Sequence, residues 1–411
     1  MLGRTLKRWH QFVRLVLKRQ VPHAVLSWRY LLPNQNPSIG LHKKVFLEAW
    51  SNLPRTVWWL IAFCSYTLWL CFYGWKYLWS VWHKSSPILS QKIGVSRSRQ
   101  LFDLWRLTFL YTTPPRFYYA YQLYNYTALE WFDFIYTHEL PHWHRTFSPD
   151  VTPRTIQLLT DKALFAQEMV QRNLPAISGV VLTKASEISE EKLFNQTSHF
   201  LKPLRGSRKE GCYKLEYDSL CDTYILETSE IQILYSKKEI LEFITTLVVQ
   251  QDYLMQPLLK NHPDLQLFSP FDVLITIRLI TVLLKNRATA ISAVLELPVD
   301  SYSNRVHAVS VDIQHGVLGE LKEPNRTTKE KRVEELKQLS GQSIVYWQEV
   351  VKVAKEAHNS FPDLVSIGWD LAITPKGVML IEGNINWGVE VHQMNGPDLM
   401  PYYQKIEGEK I

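Results

Sequence analysis

No part of this chain limits its possible folds more tightly than GWDLAITPKGVMLIEGNINWG, residues 368–388. Two apolar runs of strand composition flank a turn, yet Asp370, Glu382 and Asn384 lie inside those runs. A polar group buried without a partner costs about 2–7 kcal/mol, and a bare carboxylate costs more. Pro375-Lys376-Gly377 fits a three-residue hairpin loop, with Pro at the first turn position and Gly closing a type I turn in the left-handed region. That loop pairs Thr374 with Val378 and, counted outward, sets Asp370 opposite Glu382. Asn384 shares their face because strand side chains alternate. A two-residue loop shifts the register by one and turns Asp370 to the wrong face. Two facing carboxylates repel unless a cation or a shared proton lies between them. Oxygen-only ligands, sparingly supplied, suit Mg2+ bound together with substrate phosphates. The alternative is an edge hairpin whose polar side chains face solvent.

A chain of 411 residues, 46% of them hydrophobic, can bury a large core and is expected to hold two or three units. Its charge of +7 is unevenly spread: before Asp103 the only acid is Glu48, and twelve of the fifteen tryptophans precede residue 150. Cys64, Cys71, Cys212 and Cys221 show neither zinc nor redox spacing, which points to a reducing compartment.

The N-terminal part reads as a membrane-associating region, residues 1–87. RTLKRWHQFVRLVLKRQ, residues 4–20, places Leu6, Trp9, Val13, Val16 and Leu17 at helical spacing with Arg and Lys opposite, the pattern of a basic helix on an anionic membrane surface. Residues 57–82 form an apolar run long enough to span a bilayer. Its many Trp and Tyr prefer the interface, and Lys76 interrupts it. Charge keeps the basic N-terminus on the cytoplasmic side, and the segment 84–106 is also basic, so a single crossing is disfavoured. The expectation is a monotopic or re-entrant insertion with the C-terminal part of the chain at the cytoplasmic face of a membrane and no cleaved signal peptide. An aromatic-rich helical subdomain, packed on the rest of the chain or docked on another protein, explains the same residues. Nucleic acid is not expected as a partner, because Trp-rich apolar runs are not its usual grammar. A helical, aromatic-rich region follows at residues 88–150. Its THELPHWHRT holds His138, His142 and His144, which match no metal-ligand spacing and read as a surface or core-edge cluster.

From residue 151 to 411 the pattern is mixed α and β. LTDKALFAQEMVQRNLPAI reads as a helix capped at Thr160 or Asp161, and SHFLKP as a short strand ending in Lys202-Pro203. RGSRKEGCYKLEY is a glycine-containing loop, with Gly206 and Ser207, leading into a second strand; its backbone N–H groups can cradle phosphate. The Walker order G-x-x-x-x-G-K-[ST] is absent. YLMQPLL, residues 253–259, is another buried strand, and residues 273–297 are two strands joined by a basic turn at Lys285-Asn286-Arg287. Arg278 sits in mid-strand within LITIRLIT, so its guanidinium needs an anion: Asp370 or Glu382, a nucleotide phosphate, or both. A helix, a break at Gly341 and a longer helix precede the polar hairpin.

GVSRSRQ, LTDKALF, TIRLIT and IEGNINWG…HQ, in this order with the elements above, resemble the sugar-transfer-associated family of the ATP-grasp superfamily over residues 90–411. The resemblance implies an α+β ATP-grasp fold, two α+β subdomains clasping ATP, with ATP and Mg2+ as cofactors. It implies that Lys162 and Lys202 contact the nucleotide phosphates and that Gln256 to Leu258 meet adenine through backbone groups, with Asp264 toward the ribose. Arg278 would hold the transferring phosphate, and Asp370, Glu382 and Asn384 would bind Mg2+. Two departures from the family pattern stand out: Arg208-Lys209-Glu210 fill the phosphate loop with charge, and no glycine pair follows Asn304. The implied activity is ADP-forming ligation of a small-molecule carboxylate to an amine through an acyl phosphate, with a sugar or glycan precursor as a partner. The alternatives are a kinase-like phosphotransferase and a nucleotide-binding membrane scaffold without turnover.

Overall fold

The computed structural model describes the chain outside residues 1–20, 34–35, 52–54, 184–187, 189, 206–210, 228–232, 235, 301–304, 323–334, 395 and 410–411. The amphipathic segment 4–20 and the phosphate-loop residues Gly206 and Ser207 therefore lie outside the described residues. Two compact units are present. The described residues of Met1–Pro149 and Gly388–Ile411 belong to one; those of Asp150–Leu321 and Arg332–Trp387 make the other.

Two six-stranded sheets organise the second unit. The first contains β1 (Val180–Leu182), β2 (His199–Pro203), β3 (Tyr213–Asp218), β4 (Thr223–Glu227), β5 (Ile233–Leu234) and β6 (Tyr253–Pro257), in the order β1-β6-β2-β3-β4-β5. Helix Lys237–Gln250 covers it: Ile240, Ile244 and Val248, four residues apart, bury one stripe against Leu201, Leu215 and Leu226. The second sheet contains β7 (Thr276–Leu284), β8 (Arg287–Pro298), β9 (Val306–Val311), β10 (Leu318–Lys322), β11 (Ser366–Thr374) and β12 (Gly377–Asn384), in the order β10-β9-β8-β7-β11-β12. Helix Trp347–His358 lays Val350, Val353, Ala354 and Ala357 into a core shared with Ile277, Leu279, Leu295 and Trp369.

Most of the expected elements are here. The turn between β7 and β8 is tighter than expected: Lys285 and Asn286 alone form it, both with positive φ (48° and 59°), which suits the twist of a two-residue hairpin. Gly341, with φ of 88°, breaks the chain where expected. The hairpin of β11 and β12 departs from expectation. Gly377 has positive φ (103°), as the turn chemistry required, but Thr374 pairs with Gly377 and not with Val378. A second irregularity corrects the shift. Leu371 faces Leu380 while Asp370 faces Glu382, so Ile381 is an extra residue, and this bulge restores the carboxylates to one face.

In the first unit, helices Pro37–Ser51, Arg55–Leu68, Gly74–Ile93, Arg97–Trp105 and Leu140–Phe147 surround an aromatic core that includes Phe117, Tyr118, Tyr121, Trp131, Phe132 and Tyr136. The C-terminal helix Met400–Glu409 docks through Tyr403, whose ring centroid lies 5.1 Å from Trp143 and 4.7 Å from Phe147, and through Lys44 Nζ to Glu407 Oε1 at 2.7 Å. None of the described helices is long and apolar enough to cross a membrane. His144 is buried within its helix, while burial pushes His138 down to about 4. Among the described residues no group of three or more His, Cys, Asp or Glu side chains converges as a metal site.

One ion pair lies wholly inside this unit. His42 Nδ1 is 3.0 Å from Glu139 Oε1, both side chains are fully buried, and His42 Nε2 donates to Phe132 O at 2.9 Å. Tyr136 N donates to the same carboxylate at 3.2 Å. With both ring nitrogens facing acceptors, the imidazole is held as a cation. Burial works against that charge, but Glu139 outweighs it and holds His42 above its ordinary value. Burial likewise opposes the Glu139 charge, and His42 holds it below the usual carboxylate range. Removing one partner strands the other, so Glu139→Gln is expected to cost about 3–5 kcal/mol. The loss has a pH window. The contribution of His42 is complete below about pH 6.5 and fades as pH rises through its raised value; that of Glu139 is complete above about pH 4.3 and fades as pH falls through its depressed value. Urea unfolding of wild type and Glu139→Gln across pH is expected to show the largest difference between those limits, shrinking on either side. A constant difference would refute the charged pair.

Candidate active site

The polar cluster is built on one face of the second sheet. Asp370 on β11 faces Glu382 on β12 and Arg278 on β7, and Asn384 lies two residues beyond Glu382. Arg278 Nε donates to Asp370 Oδ1 at 2.6 Å and Nη2 to Oδ2 at 2.9 Å, a two-pronged bond that fixes both planes. Asn384 Nδ2 donates to Asp370 Oδ2 at 3.4 Å and to Glu382 Oε1 at 3.3 Å. The strand's opposite face carries Trp369, fully buried, its Nε1 donating to Thr281 Oγ1 at 2.7 Å. β11 is thus buried on both sides, with an apolar core on one and charge on the other. Although β12 is a sheet edge, as the alternative reading of the hairpin held, its acids do not simply face solvent. Asp370 is only 6% exposed and Glu382 is half-buried.

The first sheet contributes Lys202, at the end of β2 and buried. Lys162 is brought beside it by a local device. Asp161 caps helix Lys162–Gln171, accepting from Ala163 N and Leu164 N at 3.1 Å each, and Lys162 Nζ donates to Pro203 O at 3.2 Å. Burial pushes Lys202 down to about 8, with Glu382 opposing that fall and Lys162 adding to it. Burial pushes Asp370 well above the usual carboxylate range against the pull of Arg278, and the facing Glu382 adds to the rise. The same burial acts on Glu382, but Asp370 and Lys202 outweigh it and hold it low. The two facing acids thus oppose each other's charge, Asp370 raised and Glu382 held low, as expected of carboxylates placed side by side.

Other predicted residues stand in the same unit but in different roles. Gln256 is buried, and its Nε2 donates to Ile177 O at 2.5 Å. Leu258 N donates to Ser198 O at 2.9 Å, so this amide, expected to meet adenine, is already engaged. Asp264 opens a short helix beside His262, is exposed, and lies 3.7 Å from His262 Nδ1. Among the described residues, no ion pair joins Asp264 to the charged cluster. The sequence reading missed Glu296 on β8, whose Oε1 is 3.7 Å from Arg278 Nε and whose Oε2 accepts from Thr276 Oγ1 at 3.1 Å. Its signal was available: a lone acid in the apolar run AVLELP, the same anomaly that marked Asp370.

A profile of the sugar-transfer-associated ATP-grasp family matches residues 144–408, well over half the chain. The chain belongs to that family. No curated protein shows significant sequence similarity to it. Among solved structures it resembles the ATP-grasp ligase PsnB complexed with a phosphomimetic variant of minimal precursor, Mg and ADP (11% identity, 67% of each chain, TM-score 0.34). It also resembles D-alanyl-alanine synthetase A from Vibrio cholerae (12% identity, 63% of this chain and 65% of that one, TM-score 0.36). D-alanine–D-alanine ligase from Bacillus anthracis complexed with ATP is similar at 10% identity over 62% of this chain and 68% of its own, with TM-score 0.35. At these values the likenesses carry no argument about substrate. ATP and Mg2+ are the cofactors of this ATP-grasp protein, and its residues fit them. Two facing acids and an adjoining amide suit a hard cation, and two lysines, one of them buried, suit phosphate.

A phosphate beside Lys202 favours its charged form, so nucleotide affinity is expected to hold steady below about pH 8 and fall as pH rises through it. Lys202→Arg removes that dependence. Lys202→Met weakens ATP binding about 10–100-fold at pH 7. Calorimetric titration across pH checks all three; an affinity independent of pH between 7 and 10 in the wild type would contradict the assignment.

Proposed function

We propose that this chain is an ATP- and Mg2+-dependent ligase that joins a carboxylate to an amine with release of ADP. The superfamily to which it belongs comprises carboxylate–amine ligases. The observation that carries the reading is the hydrogen-bonded set of Asp370, Glu382, Asn384 and Arg278 on one sheet, with Lys202 and Lys162 contributed by the other part of the same unit. When bound, Mg2+ neutralises the triphosphate charge. Lys162 and Lys202 then hold phosphate oxygens, and the Arg278 guanidinium, locked by Asp370 and flanked by Glu296, stabilises the transferring phosphoryl group. The substrate carboxylate attacks the γ-phosphorus, ADP leaves, and the amine opens the resulting acyl phosphate to give an amide and inorganic phosphate. Positioning and charge stabilisation supply the rate, with no call for a nucleophilic Ser or Cys. Gln256 to Leu258 are assigned to the base site through backbone groups other than the Leu258 amide, which Ser198 O engages, and Asp264 to the ribose.

The acid is read as an amino acid or related acid, and the acceptor as a sugar or surface-polysaccharide precursor. What supports the glycan side is the family's description alone.

Hydroxylamine trapping tests the chemistry. With Mg-ATP, a panel of amino and uronic acids and hydroxylamine, the wild type is expected to yield a hydroxamate with stoichiometric ADP. Glu382→Gln is expected to lower turnover by about 100-fold or more while still binding nucleotide. ADP without hydroxamate would replace the ligase reading with phosphotransfer to a substrate that goes no further.

A further inference from the structure

Helices Arg55–Leu68 and Gly74–Ile93, joined through the widened turn Trp69–Tyr73, present one face inward and another to solvent. The inward face is well anchored. Tyr66 Oη donates to Ala24 O at 2.9 Å and Trp69 Nε1 to Thr108 O at 2.8 Å; a Cβ at Gly74 would meet Trp69 O at 2.7 Å and Phe109 Cε1 at 2.9 Å. That fixes the outward face, where Phe63 is 70% exposed, Phe72 66%, Trp75 52% and Trp79 56%. The neighbouring helix Arg97–Trp105 extends the surface with Phe102, 59% exposed, and Trp105, through rings 6.5 Å apart. Trp75 is 4.5 Å from Phe109, which is 6.2 Å from Trp105, so the rings form one continuous patch.

Soluble chains rarely leave so many large aromatics uncovered together. The rim is cationic: Lys76 and Lys84 are exposed, Arg97 lies 4.7 Å over Trp82, and Arg106 lies 5.5 Å over Phe102. The sequence contains no Asp or Glu between Glu48 and Asp103. Asp103, buried on the inner side of the helix Arg97–Trp105, already lies 4.0 Å from Arg106 and 3.7 Å from Arg99 of its own chain, so a second copy of this face would set Lys76, Lys84 and Arg97 against their own counterparts. An anionic lipid surface offers what the face lacks, an apolar layer for the rings and phosphates for the cations. No described helix can cross a bilayer, so the helices would lie along it.

We infer that this aromatic face docks the protein on the headgroup region of an anionic lipid bilayer. Trp75 and Trp79 enter the interface with Phe63 and Phe72, and Lys76, Lys84 and Arg97 meet lipid phosphates. This assignment does not rest on the ligase reading, and its test needs no turnover.

The full chain is centrifuged with vesicles of phosphatidylcholine alone, or of phosphatidylcholine and phosphatidylglycerol in equal parts, and its mass in solution is measured without lipid. The expected result is co-sedimentation with the anionic vesicles, weakened by added salt. The combination Phe72→Ser, Trp75→Ser and Trp79→Ser lowers the bound fraction about tenfold or more, with unchanged melting and unchanged ATP binding. Lys76→Glu with Lys84→Glu removes the preference for anionic lipid while leaving the fold intact. Wild type that stays in the supernatant with both vesicles overturns the assignment, as does a triple variant that binds as well as wild type. A wild-type dimer that the triple variant dissolves, with no retention on lipid, makes the face a protein interface instead.

Discussion

The bond between Arg278 and Asp370 is the constraint on which the second unit turns. A half-buried guanidinium and a buried carboxylate each carry a desolvation cost that good geometry offsets, and here two short bonds supply it. That pairing leaves Glu382 facing an acid whose own charge is already contested. Lys202 lies on the other side, weakened as a cation by the same burial. Each charge thus makes the next one tolerable, and none is fully satisfied by its neighbour. The Asn384 amide donates to both carboxylates and ties the three side chains into one set. Such a cluster is weak as a source of stability, because an apolar replacement of similar volume is often neutral or better. Its value lies in being incomplete.

The hairpin shows how much of this was legible. Turn chemistry identified the left-handed Gly377, and the polar pattern identified which three side chains share a face. Loop counting gave the pairing beside the turn wrongly, because the bulge at Ile381 could not be seen in it. The conclusion survived because it rested on two independent arguments, and the stronger was chemical: Asp370 and Glu382 on opposite faces would each be buried alone. A bulge compensating a loop is invisible to spacing, but its outcome is demanded by the polar residues. Strands of alternating, moderately polar composition fared worse. TYILE in β4 and VHAVSV in β9 were not recognised, since short segments near a sheet's edge bury too little to leave a strong pattern. The engagement of Leu258 N by Ser198 was likewise out of reach, because backbone pairing partners are not written in side chains.

The first unit posed a different ambiguity. Tryptophan and tyrosine serve equally as core and as interfacial residues, so their abundance before residue 150 could not say which were which. Structure separates them by what each ring's polar end does. Trp69, Trp131 and Tyr136 donate to backbone carbonyls and are buried, while Phe72, Trp75 and Trp79 stand open. Helical spacing alone could not make that division: Trp69 is buried, while Phe72, three residues further along the same helical segment, is exposed. The His42–Glu139 pair is equally silent in sequence: its members are ninety-seven residues apart, and only the fold joins them.

Both units therefore use burial to alter charge, to opposite ends. In the first, His42 and Glu139 are matched one to one with backbone groups completing each, so burial strengthens the pairing and fixes the helices around it. In the second, burial acts on an unmatched set. Lys202 is pushed toward neutrality and Asp370 toward protonation, so the site holds its protons loosely placed and its charges below full strength. An arriving polyanion with its divalent cation reverses both shifts at once, since each brings the charge that the other side lacks. A ligand carrying both signs therefore meets both sets of residues, whereas a ligand of one sign meets only one. Neither a bare anion nor a bare metal ion satisfies Lys202 and the carboxylates together, and that requirement is a specificity written into the sheet before any contact to a base or sugar is made.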